Sequence, residues 1–235
     1  MIDMTIQAAI TGISSMATRQ LLAELVADYA KLANAEIAIE SVGGVDAAKR
    51  VQAGEAFDVV ILASDAIDKL IVAGHIDAAS KVNLVNSGVA VAVKAGSVAA
   101  DISSEAAFKA TVLAAKTISY STGPSGVALA KLFKHWGIEQ QIASRIVQAP
   151  PGVPVGSLVA KGEVELGFQQ LSELIHLDGI SIVGLLPPEI QITTTFSAGV
   201  CTASTQRDSA AKLLAYMASP AADAAKFRQG MELFT

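Results

Sequence analysis

Five stretches of this chain place serine, threonine or glycine where a short apolar run hands over to a helical pattern. They are TGISSMATR (11–19), SVGGVDAAK (41–49), ILASDA (61–66), STGPSGVA (121–128) and APPGVPVGS (149–157). The first backbone N–H groups of a helix have no partner within it, and the helix start carries about half a positive charge, so it attracts anions. The hydroxyls of Ser14, Ser15, Ser64 and Ser125 can donate to the same anion, while Gly43 and Gly44 let it approach the backbone. Each loop taken singly is an ordinary helix cap. Their recurrence in both halves of the chain points to a shared anion site at the carboxyl ends of strands. Arg19 follows the first loop and would clamp a carboxylate through two nitrogens if it faces the ligand; otherwise it is a solvated surface residue. In STGPSGVA, Thr122 or Gly123 begins the turn and Pro124 suits the first helical turn. Ser125 and Gly126 then offer a hydroxyl and an amide, and without a Walker lysine the stretch is not a phosphate loop.

Other chemistries have less support. His75, His135 and His176 are far apart and share no ligand spacing, and the single cysteine, Cys201, reads as a buried apolar side chain. No metal and no cofactor is expected. Ser15 and Ser125 have no His/Asp partner in view, which argues against a serine nucleophile. Asp65 reads as a cap of the helix it opens, Lys49 and Arg50 as surface residues, and Phe133 and Trp136 as core.

The elements that must position these loops are legible from composition and periodicity. Of 235 residues, 52% are hydrophobic and only 5% aromatic, so the core is built of Ala, Val, Leu and Ile. Continuous Val/Ile/Leu runs of that kind suit buried parallel strands covered by helices. The formal net charge of -5 argues against nucleic acid as a partner, and no run reaches the ~18 apolar residues of a membrane span. MIDMTIQAAI starts as a strand with no charged leader-like segment, which fits either a cytoplasmic protein or one whose leader is not in this sequence.

The expected order begins with a strand at 4–12 and a helix at 14–33 whose face carries Leu21, Leu22, Leu25, Val26 and Tyr29. Strand, helix, strand and helix follow to His75, the helices closed by Gly54 and Gly74. This alternation implies a mostly parallel sheet with helices on both faces. Residues 86–96 read as a strand crossing between lobes, a second α/β series follows, and 190–201 reads as a second crossing strand. The last two helices then return to the first lobe.

The stretch SVGGVDAAKRVQAGEAFDVVILASDAIDKLIVAGHI resembles the first lobe of the periplasmic molybdate-binding proteins, which are type 2 solute-binding proteins of ABC importers. GPSGVALAKLFKHWGI, PGVPVGSLVAKGEVELGFQQ and FSAGV are similar to the second lobe and return crossing. The resemblance covers nearly the whole chain. It implies an α/β fold of two lobes, 1–84 with 197–235 and 85–196, each a mostly parallel sheet flanked by helices. It also implies two crossing strands, an interlobe ligand cleft, hinge closure, a periplasmic location and an importer membrane component as partner. On this likeness the ligand-facing positions are Ser14 and Ser15, Gly43 and Gly44, Ser125, Val153 or Pro154, and Gln169 or Gln170. Two of these depart from the family pattern: Gly43, Gly44 and Val45 replace a hydroxyl loop, and Gln169 or Gln170 stands where well-known members carry a tyrosine. A buried dianion needs a donor for nearly every oxygen, whereas glutamine offers both donor and acceptor and suits an organic acid.

Two functions fit this scaffold. One is capture of a small anion, either an organic di- or tricarboxylate or an oxyanion. The other is isomerisation of a small polycarboxylate such as aconitate, since relatives of this fold include an aconitate isomerase. That reaction needs a base for an allylic proton, and only Tyr120 or a hydroxyl in a dry cleft offers itself. A domain with no small ligand is a third, weaker option.

Overall fold

The computed structural model describes residues 9–150 and 153–234. Positions 4–8 of the expected first strand, and Pro151 and Gly152 of the fifth loop, lie outside the described residues. In chain order the elements are β1 (Ile10–Ser15), α1 (Arg19–Ala33), β2 (Ile37–Val42), α2 (Gly44–Gln52), β3 (Val59–Ala63), α3 (Ser64–Val72) and β4 (Val82–Lys94). Next come α4 (Glu105–Ala114), β5 (Ile118–Tyr120), α5 (Pro124–His135), α6 (Glu139–Ile142), α7 (Val155–Lys161), β6 (Leu166–Gln170), α8 (Leu171–Leu174) and β7 (Ile180–Leu185). The chain closes with β8 (Thr193–Val200), α9 (Arg207–Ala218), α10 (Asp223–Arg228) and β9 (Glu232–Leu233). It divides into two compact units, Met1–Val85 with Thr195–Thr235 and Asn86–Thr194. The divisions fall inside β4 and β8, so these two strands carry the chain from one unit to the other.

In the first unit, β2, β1 and β3 run parallel and β8 joins β3 antiparallel. All five residues of β3 are buried because its neighbours cover both edges and helices cover both faces. Successive side chains point to opposite faces. Val59 and Ile61 therefore pack with Leu21, Leu22 and Leu25 of α1 and Leu213, Leu214 and Met217 of α9. Val60 and Leu62 pack with Ala47 and Val51 of α2 and Ile67 and Leu70 of α3. Past the ends of α2 and α3, Gly54 and Gly74 adopt φ of 81° and 80°, the left-handed geometry that closes a helix. The first helix starts later than its sequence pattern suggests. Ser14 and Ser15 are the last residues of β1, Met16–Thr18 is a 3-10 turn, and α1 begins at Arg19. Pairing with β2 through Ser15 and Val42 holds the serines extended, and Ser15 caps the turn by accepting the N–H of Ala17.

In the second unit, β5 runs parallel to β6, and β4 lies antiparallel to both β6 and β7. Phe108, Phe133 and Phe168 meet edge-on between the sheet and helices α4 and α5. Trp136 rims this core, and its indole N–H donates to Glu105 at 2.6 Å. On the other face, Ala90 and Ala92 of β4 pack against Leu174 of α8.

A buried carboxylate ties the first unit together. Asp58, just before β3, accepts the Thr11 N–H at 2.8 Å, the Thr11 hydroxyl at 3.1 Å and the Ser204 hydroxyl at 2.6 Å. Its own amide donates to Thr11 O and its carbonyl accepts the Cys201 N–H. Three chain segments thus share one anion, and removing it orphans buried donors. Asp58→Ala is expected to lower unfolding stability by about 3 kcal/mol in chemical denaturation, the cost of stranding buried polar groups.

Candidate functional site

In the first unit, three candidate loops share one sheet edge. Ser14 pairs in register with Ser41 on one side and Ile61 on the other, so β1, β2 and β3 finish side by side. Their continuations are Ser15 and the turn into α1, Gly43 and Gly44 into α2, and Ser64 into α3. A side chain at Gly44 would place its Cβ 3.7 Å from Ser15 Oγ. The serines differ in what they can offer. Ser14 is fully buried and its hydroxyl is engaged by Ser41 Oγ at 2.8 Å. Ser15 Oγ accepts the Ala17 N–H, which leaves its own O–H free to donate. Ser64, first residue of α3, makes no side-chain hydrogen bond, and Arg19 is exposed without an ion pair among the described residues. Ala63 occupies the cap position of α3, so the expected cap Asp65 lies exposed in the first turn, paired with Lys69.

The second unit repeats the arrangement. Tyr120 pairs with Phe168, so the next residues, Ser121 and Gln169, end their strands together. Ile146 bridges Ile118 of β5 in parallel, which sets the chain ahead of α7 alongside β5. Three helices start there: α5 after Gly123, α7 after Pro154 and α8 after Gln170. The run of small residues in STGPSGVA now has a physical reason. The Ser121 hydroxyl accepts the Gly123 N–H at 2.9 Å, and a Cβ on Gly126 would lie 1.5 Å from Ser121 O. The first turn of α5 can close down on the strand end only with glycine at 126. Ser125 is 5% exposed and its hydroxyl has no hydrogen-bond partner among the described residues. Val153 and Pro154 precede α7, Val153 donating its N–H to Pro150 O and Pro154 serving as the cap residue.

Charge separates these helix starts. The first turns of α2 and α3 carry Asp46 and Asp65, which compete with an incoming anion. Those of α1, α5 and α7 carry no acid. The donors at Ser15 and Ser125 are therefore the ones least opposed by protein charge.

Both glutamines are tied within their unit. Gln170 is buried between β4 and β8; with its amide turned to satisfy both neighbours, it donates to Ser87 O and accepts the Thr194 hydroxyl at 2.8 Å. Gln169 takes the Gly156 N–H on its carbonyl oxygen at 3.4 Å and donates to Glu173 Oε1 at 2.8 Å. Glu173 was not singled out from the sequence, where it is one acid in the short helix LSELIHL. Glu173 is half-buried, and its carboxyl is pushed up to about 7 by burial, with the Gln169 hydrogen bond pulling in the opposite direction. Ser172 beside it is buried with its hydroxyl unpartnered among the described residues. Tyr120, the base suggested by sequence, is the poorer candidate. Its ring packs on Phe133 and burial raises its phenol above the ordinary value, so it holds its proton.

The remaining groups stay outside the chemistry. Burial, and secondarily Asp58, push the Cys201 thiol up to about 12. Arg50 pairs with Glu40 and Glu55 at the surface. No group of three or more metal-ligating side chains occurs among the described residues, and no helix there is long and apolar enough to cross a membrane.

Residues 10–232 match the family described as bacterial extracellular solute-binding protein. The chain belongs to this family. It is 40% identical over 178 residues to an aconitate isomerase from a Pseudomonas species, spanning 75% of this chain and 67% of that protein. Among solved structures, the periplasmic molybdate-binding protein of Azotobacter vinelandii superposes with a TM-score of 0.81 at 20% identity, covering 96% of this chain and all of that one. The substrate-binding domain of a molybdenum ABC transporter from Clostridium difficile gives 0.75 at 16% identity, covering 97% and 100%. At these identities the likeness is one of fold, and the fold is that of the type 2 periplasmic binding proteins.

Glu173 links this solute-binding protein's stability to pH. Below its ordinary value of 4.5 both folded and unfolded states hold the proton. Between 4.5 and about 7 the unfolded chain ionises while the folded protein keeps its proton, so stability falls as pH rises. Glu173→Gln cannot titrate. Its melting temperature relative to the native protein is expected to climb from pH 4.5 to 8, read by thermal unfolding without ligand.

Proposed function

We propose that this solute-binding protein captures one small organic polycarboxylate of the aconitate class at strand-end edges where its helix starts gather. The observation that carries the reading is the donor set: Ser15, Ser64 and Ser125 keep hydroxyl protons uncommitted beside helix starts, and α1, α5 and α7 bring no acid to oppose an anion. Two features favour a carbon skeleton over an inorganic oxyanion. Val45 and Val127, on the first turns of α2 and α5, are 53% and 51% exposed, which places apolar surface beside the donors. The Pseudomonas relative acts on aconitate. Membership of the solute-binding family supports a periplasmic location and delivery to an importer's membrane component as parts of this reading. Arg19, Gly43, Gly44, Val153 and Pro154 are the further positions proposed to contact ligand, with Gln169 and Gln170 as support.

Isothermal titration of ligand-stripped protein is expected to show one cis- or trans-aconitate per chain and no heat with molybdate or sulfate. Ser15→Ala and Ser125→Ala should each weaken binding about 10- to 100-fold, the value of a hydrogen bond to a charged group. Two sites per chain, or a preference for molybdate, would refute the reading.

A second reading is favoured by one specific observation. Glu173 sits at the second unit's edge with a carboxyl that titrates near neutrality, as a proton-transfer group requires. On this reading the bound polycarboxylate also undergoes isomerisation.

A further inference from the structure

We infer that Glu173 is the acid–base group that shifts the allylic proton of an aconitate-class ligand; this rests on the second reading above. Its placement comes first. Glu173 follows β6 by three residues, at the edge where α5 and α7 also begin, so it lies with the donors expected to hold the ligand's carboxylates. Its orientation is fixed from one side. Gln169 pins Oε1 at 2.8 Å and is itself anchored to the Gly156 N–H, while Oε2 has no partner among the described residues. One oxygen held and one left open is the arrangement a side chain needs to meet a substrate C–H in a defined direction.

The surroundings keep the group tunable. Burial raises its carboxyl, and its neighbours in sequence, Leu171 and Leu174, belong to the apolar cluster of α8 with Ala90 and Ala92 of β4. The titratable side chains nearest it on α8 and the turn that follows are His176 and Asp178. On the packed elements α7 and β4 they are Lys161 and Lys94, both at the end of α7 remote from Gly156. Gln169 is its one hydrogen-bond partner among the described residues, and burial and that bond are the causes acting on its carboxyl. Its proton affinity is thus set by burial rather than by a fixed countercharge, which suits a group that must both take and return a proton near neutral pH.

The reaction balances with no redox step. The Glu173 carboxylate takes a proton from the ligand's methylene carbon, which lies next to the C=C bond. The C–H electron pair forms the new C=C bond, and the old π pair moves to the former vinyl carbon. That carbon takes the proton back from the Glu173 carboxylic acid, which regenerates the carboxylate. Negative charge developing on the ligand's carboxylates is met by the hydroxyl and amide donors at the start of α5. Geometry about the new double bond sets whether the cis or trans isomer leaves.

The test is interconversion of cis- and trans-aconitate followed by proton NMR, with binding measured separately by calorimetry. The native protein is expected to interconvert the isomers, with a rate that rises from pH 5 to 8. Glu173→Gln should lose on the order of 10³-fold in rate, the scale of general acid–base catalysis, while binding trans-aconitate within a few-fold of native. Glu173→Asp should recover part of the rate. Native-like rate and pH profile in Glu173→Gln would overturn the assignment and leave the isomerase reading standing. Aconitate binding without interconversion by the native protein would overturn both, while leaving the capture reading intact. Absence of binding as well would remove all three.

Discussion

Two neighbouring parallel strands cannot be joined by a tight turn; the chain must cross back over the sheet, here as a helix. Each crossover helix begins where its strand ends, so parallel strands gather helix starts along one edge. This constraint is the origin of everything functional in the molecule. Both units obey it, with α1, α2 and α3 starting along one edge and α5, α7 and α8 along the other. An edge built this way presents amide donors whatever its side chains, and the side chains then choose the guest.

That choice is made by which polar groups the fold leaves unsatisfied. Ser14, Gln170 and Asp58 are buried and fully engaged, and they hold strands in place. Ser15, Ser64 and Ser125 are less committed, and they stand at helix starts. The same residue type is engaged at 14 and keeps a donor available at 15 because one hydroxyl meets a neighbouring strand and the next meets the turn. Charge refines the division: acids in the first turns of α2 and α3 make those starts weaker hosts than α1, α5 and α7.

The fold was largely readable before any coordinates. Alternating runs of Val, Ile and Leu with amphipathic helices specify the order of elements, and the glycines after α2 and α3 mark their ends. The start of α1 was misplaced because Ser14 and Ser15 have cap-like identity, yet pairing with β2 keeps them extended. Asp65 was read as a cap, but the backbone turns two residues earlier, at Ala63. Tyr120 was suggested as a base, but burial raises its phenol above the ordinary value, away from neutral pH.

By itself the amino-acid sequence determined the α/β class, the recurrence of anion-friendly loops and the family resemblance, because these rest on local periodicity and on residue type. Which serine remains available, and which carboxyl has its acidity altered, was decided only by the tertiary structure. Glu173 reads as an ordinary helix acid until the fold buries it and brings Gln169 of β6 within hydrogen-bond reach. Proton affinity and hydrogen-bond capacity depend on what the folded chain brings within a few ångströms, and no spacing along the chain encodes that.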